Sequence, residues 1–439
     1  MKKIIVAGGG HGGLAVAAML ARNGMDVTVY ERNSRDGMGY DWTDIFAPAS
    51  LSAAGLAMPD SSLFEYKIDM TFYSTDEKTP IYQDVPEDEL EIKMERRDIY
   101  NMLIENAVKH GVKFVYSCNI EAPIVENNRV AGIKTDKGDF LGDLVIDACG
   151  CESVIRRNLP EEWGVQVSPD ANEKFYVYRA FYNRVEGAEY TDKYKVMMLP
   201  EGKLGIGWVA VEDDYTDLLI GRFEPIDKEE AERTAEVYRK TNPALGTKKV
   251  RGGQFVQIPV RQPLSIMVGN GYAAIGDSAF MTVPIIGSGI ANSFKAAPLL
   301  AEVILNNKHT DFFAENLWDY QVKFFKTLGA GLAPLAAVKM LLTQISPDML
   351  NYIFEKGILT SNEMTITAES TGLSGMLHFS PDLPDRAVAI VKNQELTKKL
   401  LGVAADIGKI TLICSQMPSK YNEQEVLRWS AKYNGAFKK

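Results

Sequence analysis

The chain has 439 residues with 48 basic against 58 acidic side chains, a net charge of −10. That balance excludes a nucleic-acid binder, which needs a basic face to meet phosphates. Four cysteines cannot make a disulfide scaffold, and His11, His110, His309 and His378 are too scattered to suggest a metal site. Hydrophobic residues at 46% and charged residues at 24% suit an ordinary globular chain, and the length suits about three domains of roughly 150 residues each.

Met1-Lys2-Lys3 is followed by only Ile4-Ile5-Val6-Ala7 before a glycine cluster, too short for a secretory apolar region. Residues 3–7 read as a buried strand, Leu14 to Asn23 as an alanine- and leucine-rich helix, and Asp26–Tyr30 as a second strand. Between strand and helix lies Gly8-Gly9-Gly10-His11-Gly12-Gly13, a GxGxxG turn in the strand–turn–helix context that dinucleotide binding requires. Gly8 permits the turn, Gly10 lets the backbone approach a pyrophosphate, and Gly13 lets helix and strand pack closely, with Gly12 beside them at the helix start. The helix N-terminus offers free N–H groups to the phosphates. Glu31, next to Arg32, ends the second strand where a carboxylate can hold ribose hydroxyls. His11 is expected to cap or pack on the loop. The pattern serves NAD and FAD equally.

Arg96 opens a helical pattern with Ile99, Leu103 and Ala107 on one face, followed by a strand at Lys113–Tyr116. Asp143 to Gly150 reads as another strand and turn, with Cys149 and Cys151 flanking Gly150. Residues so close rarely form an unstrained disulfide, so both are expected to be structural thiols. Further on, an apolar strand ends in Gly276-Asp277, a loop carries Pro284, and a helix starts near Gly287-Ser288-Gly289-Ile290.

These segments resemble the fingerprints of FAD-dependent oxidoreductases of the geranylgeranyl reductase and flavoprotein hydroxylase superfamily. The resemblance implies FAD as cofactor. Arg96 and Gly150 would contact it, Asp277 would accept hydrogen bonds from the ribityl chain, and the Pro284 to Ile290 helix start would face the flavin N1 and C2 oxygen. Hydroxylases commonly carry a histidine after Gly-Asp-Ala-Ala, where this chain has Phe280. Halogenases carry a tryptophan-rich motif that is absent here. Met198-Leu199-Pro200-Glu201-Gly202, Leu204 to Val209 and Val256 to Pro263 resemble geranylgeranyl reductases more closely.

The fold expected is α/β, a Rossmann-like FAD-binding domain of the glutathione reductase type interleaved with a mainly antiparallel β substrate domain and a helical C-terminal region. The FAD domain would be discontinuous (1–60, 92–165 and 262–345), the substrate domain would take 61–91 and 166–261, and 346–439 would form a helical cap with helices near Ala387–Leu401 and Glu423–Tyr433. The aromatic segment Phe175, Tyr176, Tyr178, Phe181 and Tyr182 suits either a pocket wall or a half-buried edge strand with water-facing tyrosines. Tyr40, Asp41 and Asp44 follow Glu31 where the chain passes near the isoalloxazine, and each is a candidate proton donor.

The function expected is hydride transfer from reduced FAD to a small, apolar, unsaturated substrate. A flavin-dependent monooxygenase and a non-enzymatic electron carrier or redox sensor are the alternatives. No second strand–GxGxxG–helix unit exists, since Gly329-Ala330-Gly331 lies inside a helical run. The electron donor is therefore NAD(P)H docking transiently or a separate protein. The longest apolar run, Gly329 to Leu342, is broken by Pro334 and Lys339 and falls short of the roughly 20 residues of a spanning helix. A cytoplasmic chain with no transmembrane segment is expected, with peripheral membrane contact and oligomeric state left open.

Overall fold

The computed structural model describes residues 2–68, 70–165, 168–309, 311–364 and 383–438. The stretch 365–382, with His378 and Pro381 of the C-terminal region, lies outside the described residues. The N-terminal half of the first sheet is built from β1 (Lys3–Ala7), α1 (His11–Arg22), β2 (Asp26–Tyr30), α2 (Arg96–Lys109), β3 (Lys113–Val115) and β4 (Leu144–Asp147). β1, β2 and β4 are short, apolar and largely buried on both faces, as parallel strands covered by helices must be, whereas the edge strand β3 is partly exposed. In β1, Ile4 to Ala7 are all fully buried.

The second sheet takes β5 (Lys174–Arg184), β6 (Tyr194–Met198), β7 (Gly205–Val211), β8 (Tyr215–Arg222), α3 (Lys228–Thr241) and β9 (Leu245–Pro259). The chain then returns to the first sheet through β10 (Val268–Gly269), β11 (Tyr272–Ala274) and α4 (Ile290–Asn306). Six strands in the order β10-β11-β4-β1-β2-β3 result, parallel except for the β10–β11 pair. Sequence-distant β4 and β11 lie side by side, so the two glycine fingerprints meet at the same edge of one sheet.

The second sheet has seven strands, β9-β5-β8-β7-β6 followed by Thr71–Tyr73 and Pro80–Tyr82, and its pairs are antiparallel except β6 with Thr71–Tyr73. Strand alternation gives it two faces. Tyr178, Ala180, Tyr182, Val209, Leu218 and Ile220 pack under Ala231, Ala235 and Tyr238 of α3. Val177, Phe181 and Leu219, with Phe175, Ile206, Trp208 and Ile258, pack on Trp42 from the first domain. The edge-strand reading of the aromatic segment fails. β5 is paired on both sides, and Tyr178 and Tyr182 are buried with their hydroxyls 3.3 Å apart.

The C-terminal part contains α5 (Ala314–Leu342), α6 (Pro347–Glu355), α7 (Leu383–Lys392), α8 (Gln394–Ser415) and α9 (Glu423–Gly435). The apolar run read as Gly329 to Leu342 is the second half of a single 29-residue helix that passes through a π turn at Phe325–Gly329. By length and composition α5 could cross a membrane, but 56% of its most apolar window is buried. Phe324, Phe325, Leu328 and Leu332 share the main core with Trp429 and Tyr433 of α9. The helix expected over Ala387–Leu401 is two helices. Asn393 breaks it because its side chain accepts a hydrogen bond from Leu396 N and caps α8.

The joint between the glycine fingerprints is a buried carboxylate. Asp147, at the end of β4, has no solvent exposure. Its Oδ1 accepts from Cys149 N and Ser278 Oγ, both at 3.0 Å. Its Oδ2 accepts from Ser153 Oγ at 2.5 Å and Tyr272 OH at 3.0 Å. Asp147→Ala would leave these donors without their acceptor in a dry site. We expect it to lower the unfolding free energy by about 3 kcal/mol or more, measured by urea denaturation; an unchanged midpoint would show the carboxylate to be dispensable.

Candidate active site

The first glycine turn fits its strand closely. Gly8 has φ +86°, and a Cβ there would lie 2.6 Å from the Ala148 carbonyl oxygen; a Cβ on Gly13 would lie 2.6 Å from the Ala148 Cβ. Gly10 is the N-cap of α1 and supplies no side-chain cap, so the N–H groups of the first turn, through Gly12 and Gly13, are left for an anion. Glu31 is buried, its Oε2 accepting from Gly9 N and its Oε1 from Asn33 N, both at 2.8 Å. The neighbouring Arg32 is exposed and has no ion pair among the described residues. His11 packs on Tyr100 with ring centroids 4.6 Å apart. Burial, reinforced by Arg96, lowers its pKa to about 3, so it is a neutral packing group.

The second fingerprint docks beside it. Gly150 N donates to Ser278 Oγ at 2.9 Å, and Gly276 adopts φ +66°. Asp277 is held by a hydrogen bond from Thr282 Oγ1 at 3.1 Å, and burial raises its carboxyl above the usual range. The loop through Pro284 closes when Gly287 N donates to Val283 O and Val283 N to Ser288 O. Gly289 then begins α4 with no side-chain cap, leaving the N–H groups from Ile290 onward open. Phe280 sits at φ +54° between two buried guanidiniums, 4.3 Å from Arg156 and 4.5 Å from Arg261. A bulky residue in the left-handed region costs on the order of 1–3 kcal/mol, and the flanking cations hold it there.

The loop after Glu31 is pinned by arginines. Arg96 forms a bidentate pair with Asp44 at 2.5 and 2.8 Å, and its guanidinium lies 4.7 Å from the Tyr40 ring and 5.2 Å from the Trp42 ring. Asp41 accepts from Arg251 and from Gly252 N, both at 2.9 Å, and the other arm of Arg251 reaches Glu95 at 2.6 Å. Arg179 and Asp217, both buried, pair at 2.5 Å, while the arginine also donates to Thr43 Oγ1 at 2.6 Å. The antiparallel sheet is thus tied to the loop after Glu31 at two points. Of the three proton-donor candidates, the two carboxylates are engaged with arginines. The Tyr40 hydroxyl has no partner among the described residues, and the side chain is 37% exposed.

Between the Pro284 loop and the sheet lies a cavity of about 110 Å³. Phe175, Met198 and Ile206 line it from the sheet side, Ile285 and Gly287 from the loop, and Leu342 from α5. Cys149 and Cys151 are free. Burial raises Cys149 well above the thiol range and Cys151 to about 12, so both stand protonated at neutral pH.

Residues 6–47 match a family model for an NAD(P)-binding Rossmann-like domain. The chain is 24% identical over 442 residues to a digeranylgeranylglycerophospholipid reductase of Sulfolobus acidocaldarius, covering 93% of this chain and 91% of that one. A crystal structure of a geranylgeranyl bacteriochlorophyll reductase-like protein from Thermoplasma acidophilum superposes with a TM-score of 0.73 at 19% identity, over 92% of this chain and 99% of that one. In sequence and in fold the chain thus resembles geranylgeranyl reductase-like proteins. A p-nitrophenol 4-monooxygenase from Pseudomonas putida shares the fold more distantly, with a TM-score of 0.57 at 16% identity over 92% of this chain and 98% of that one.

The site fits a dinucleotide cofactor of the FAD type. Two uncapped helix N-termini, the tight glycine turn at Gly8 and the half-buried carboxylate of Asp277 converge at one sheet edge. Sequence reasoning missed Asp147, Arg179 and Asp217. A buried acid at a strand end was the available signal for Asp147; the Arg179–Asp217 pair had none, because its partners are 38 residues apart. Asp277→Ala is expected to speed FAD loss on dialysis at least tenfold, a loss of about 1.4 kcal/mol or more. Flavin retention equal to the parent protein would show Asp277 to lie off the cofactor.

Proposed function

We propose that this chain reduces a carbon–carbon double bond of an apolar substrate held in the cavity between the Pro284 loop and the antiparallel sheet. The observation that carries this reading is the position of that cavity. Its apolar wall includes Pro284 to Gly287, the loop leading into the uncapped start of α4. A site so lined recognises hydrocarbon and excludes water. The similarity to digeranylgeranylglycerophospholipid reductases supports the choice of an unsaturated lipid-like substrate.

Reduced FAD supplies the hydride in this reading. The chain binds the pyrophosphate through Gly8 to Gly13, the ribose through Glu31, and the ribityl chain through Asp277. The open N–H groups of α4, with their partial positive charge, face negative charge that gathers on the flavin when it is reduced. Arg96 and Asp44 fix the flavin-side loop, Arg251 and Asp41 fasten it to β9, and the Tyr40 hydroxyl delivers the proton that completes saturation. NAD(P)H docking transiently, or a separate protein, supplies the electrons. The four free cysteines fit a reducing, cytoplasmic setting.

Anaerobic photoreduction of the flavin, followed by mixing with candidate isoprenoid alkenes or with oxygen, tests the reading. Reoxidation by an alkene without oxygen, with saturated product in the mass spectrum, is expected. Reoxidation only by oxygen, with an oxygen atom gained by the product, would establish a monooxygenase instead. Tyr40→Phe is expected to slow the alkene step by about a hundredfold with flavin content unchanged; a parental rate would remove Tyr40 from the proton path.

A further inference from the structure

The acid surplus of the chain is gathered in one segment. Residues 60–91 hold ten acidic side chains against two basic ones, which is eight of the ten net negative charges in the whole sequence. Both bases are occupied. Lys67 Nζ lies 3.4 Å from Glu91 Oε2, with both side chains nearly dry, and Lys78 lies 3.4 Å from Asp76. Lysines from elsewhere reach two more acids, Lys93 at Glu65 and Lys195 at Glu77. Glu87, Asp88 and Glu89 are different. They are consecutive in one short turn, exposed, and without an ion pair among the described residues.

Beside that turn runs an open sheet edge. Thr43–Phe46, Ile92–Glu95 and Phe64–Tyr66 form a three-stranded antiparallel sheet with Ile92–Glu95 in the centre. Tyr66 pairs with Ile92, and three residues of chain, at most about 11 Å, separate Ile92 from Glu89. On its outer side Phe64–Tyr66 has no partner strand among the described residues. Side chains alternate along a strand, so Phe64 and Tyr66 share a face. Phe64 packs on the main core, while the Tyr66 ring meets it edge-on at 5.6 Å and is itself 57% exposed. Leu63 and Ile68, before and after the strand, are exposed as well.

Single exposed apolar residues need no explanation, but a tyrosine with aliphatic neighbours at an unpaired strand edge has the composition of an interface centre. The carboxylates beside it decide what can dock. A second copy of the chain would bring the same negative face, and an anionic lipid surface or a nucleic acid would be repelled too. Three adjacent carboxylates are instead relieved by an approaching cation. None of these residues lines the cavity at the Pro284 loop, so the face is separate from the site proposed for the substrate.

We propose that the Phe64–Tyr66 edge, with the Glu87–Glu89 turn, is the docking surface for a protein partner whose contact face carries lysine or arginine around an apolar centre. Tyr66, Leu63 and Ile68 form the apolar middle, and the carboxylates set the approach and the orientation. The attraction between charges is screened by salt and the apolar contact is not, so the two contributions separate experimentally.

A fluorescent peptide of seven Lys-Leu repeats, titrated into the FAD-loaded full-length protein, stands in for such a partner. Peptides of seven Glu-Leu and seven Lys-Ser repeats are the comparisons. The Lys-Leu peptide should bind at least tenfold more tightly than either, and raising salt from about 0.05 to about 0.5 M should weaken it at least tenfold. The triple variant Glu87→Gln/Asp88→Asn/Glu89→Gln and, separately, Tyr66→Ala should each weaken it at least fivefold with flavin content unchanged. Neutralising three exposed acids outside the segment, by Glu161→Gln/Glu162→Gln/Glu315→Gln, should change it less than twofold. Equal binding of the Lys-Leu and Lys-Ser peptides, or an equal loss in the two triple variants, would reduce the effect to net charge and overturn the proposal. A dimer in sedimentation velocity that Tyr66→Ala dissociates would overturn it in favour of self-association. Pelleting with phosphatidylcholine vesicles that Tyr66→Ala abolishes would overturn it in favour of a membrane contact. Should one variant fail to retain FAD, the other decides together with the peptide comparison.

Discussion

A carboxylate without solvent, Asp147, is the constraint on which the site depends. Burying a charge is tolerable only when its lone pairs are fully engaged, and the four donors that engage it come from different places. Cys149 and Ser153 follow β4 directly, Tyr272 lies on β11, and Ser278 belongs to the second glycine fingerprint. The hydrogen bonds therefore do more than stabilise one strand end. They fix the register between chain segments more than 120 residues apart, and with it the angle at which α1 and α4 aim their open N-termini. Gly150, which donates to the same Ser278 hydroxyl, extends the joint into the turn after β4.

The same logic recurs where the two sheets meet. Arg179 leaves β5 on the face toward Trp42, and its pairing with Asp217 of β8 is completed by Thr43. Arg251 of β9 repeats the connection through Asp41 and Glu95, with its guanidinium over the Phe181 ring at 4.0 Å. Both arginines are flat, delocalised cations that stack on aromatics while forking to carboxylates. Polar links of this kind are directional in a way that the apolar contact between the sheets is not. They hold the sheet at one height against the loop after Glu31, while the cavity lies between the sheet, the Pro284 loop and α5.

The charged residues of the loop after Glu31 illustrate how a role changes once partners are known. Read along the chain, Tyr40, Asp41 and Asp44 are equivalent acids. In the fold, Asp44 grips Arg96 and Asp41 grips Arg251, so two of them act through position. Phe280 is a comparable case. It reads as a missing histidine in the sequence, and in the fold it is the ring between Arg156 and Arg261. Lys339 is a third. It reads as an interruption of an apolar run, and in the fold it is buried with its Nζ donating to the Asn172 carbonyl.

The sequence by itself determined the glycine-rich turns and the elements that flank them, because their signals are local. Gly8, Gly10 and Gly13 sit at fixed spacing between a strand and a helix, and Gly276-Asp277 precedes a glycine-rich helix start. Each element forms where its periodicity and turn residues place it. Local periodicity also located α2 and α9, and it misjudged α5 and the break at Asn393, where a π turn and a side-chain cap override the apolar pattern. What only the tertiary structure decided was which charges meet. Asp147 with Ser278, Asp44 with Arg96 and Arg179 with Asp217 are joined by strand pairing and sheet stacking across long separations. The energy of a buried ion depends on neighbours that no window of sequence contains.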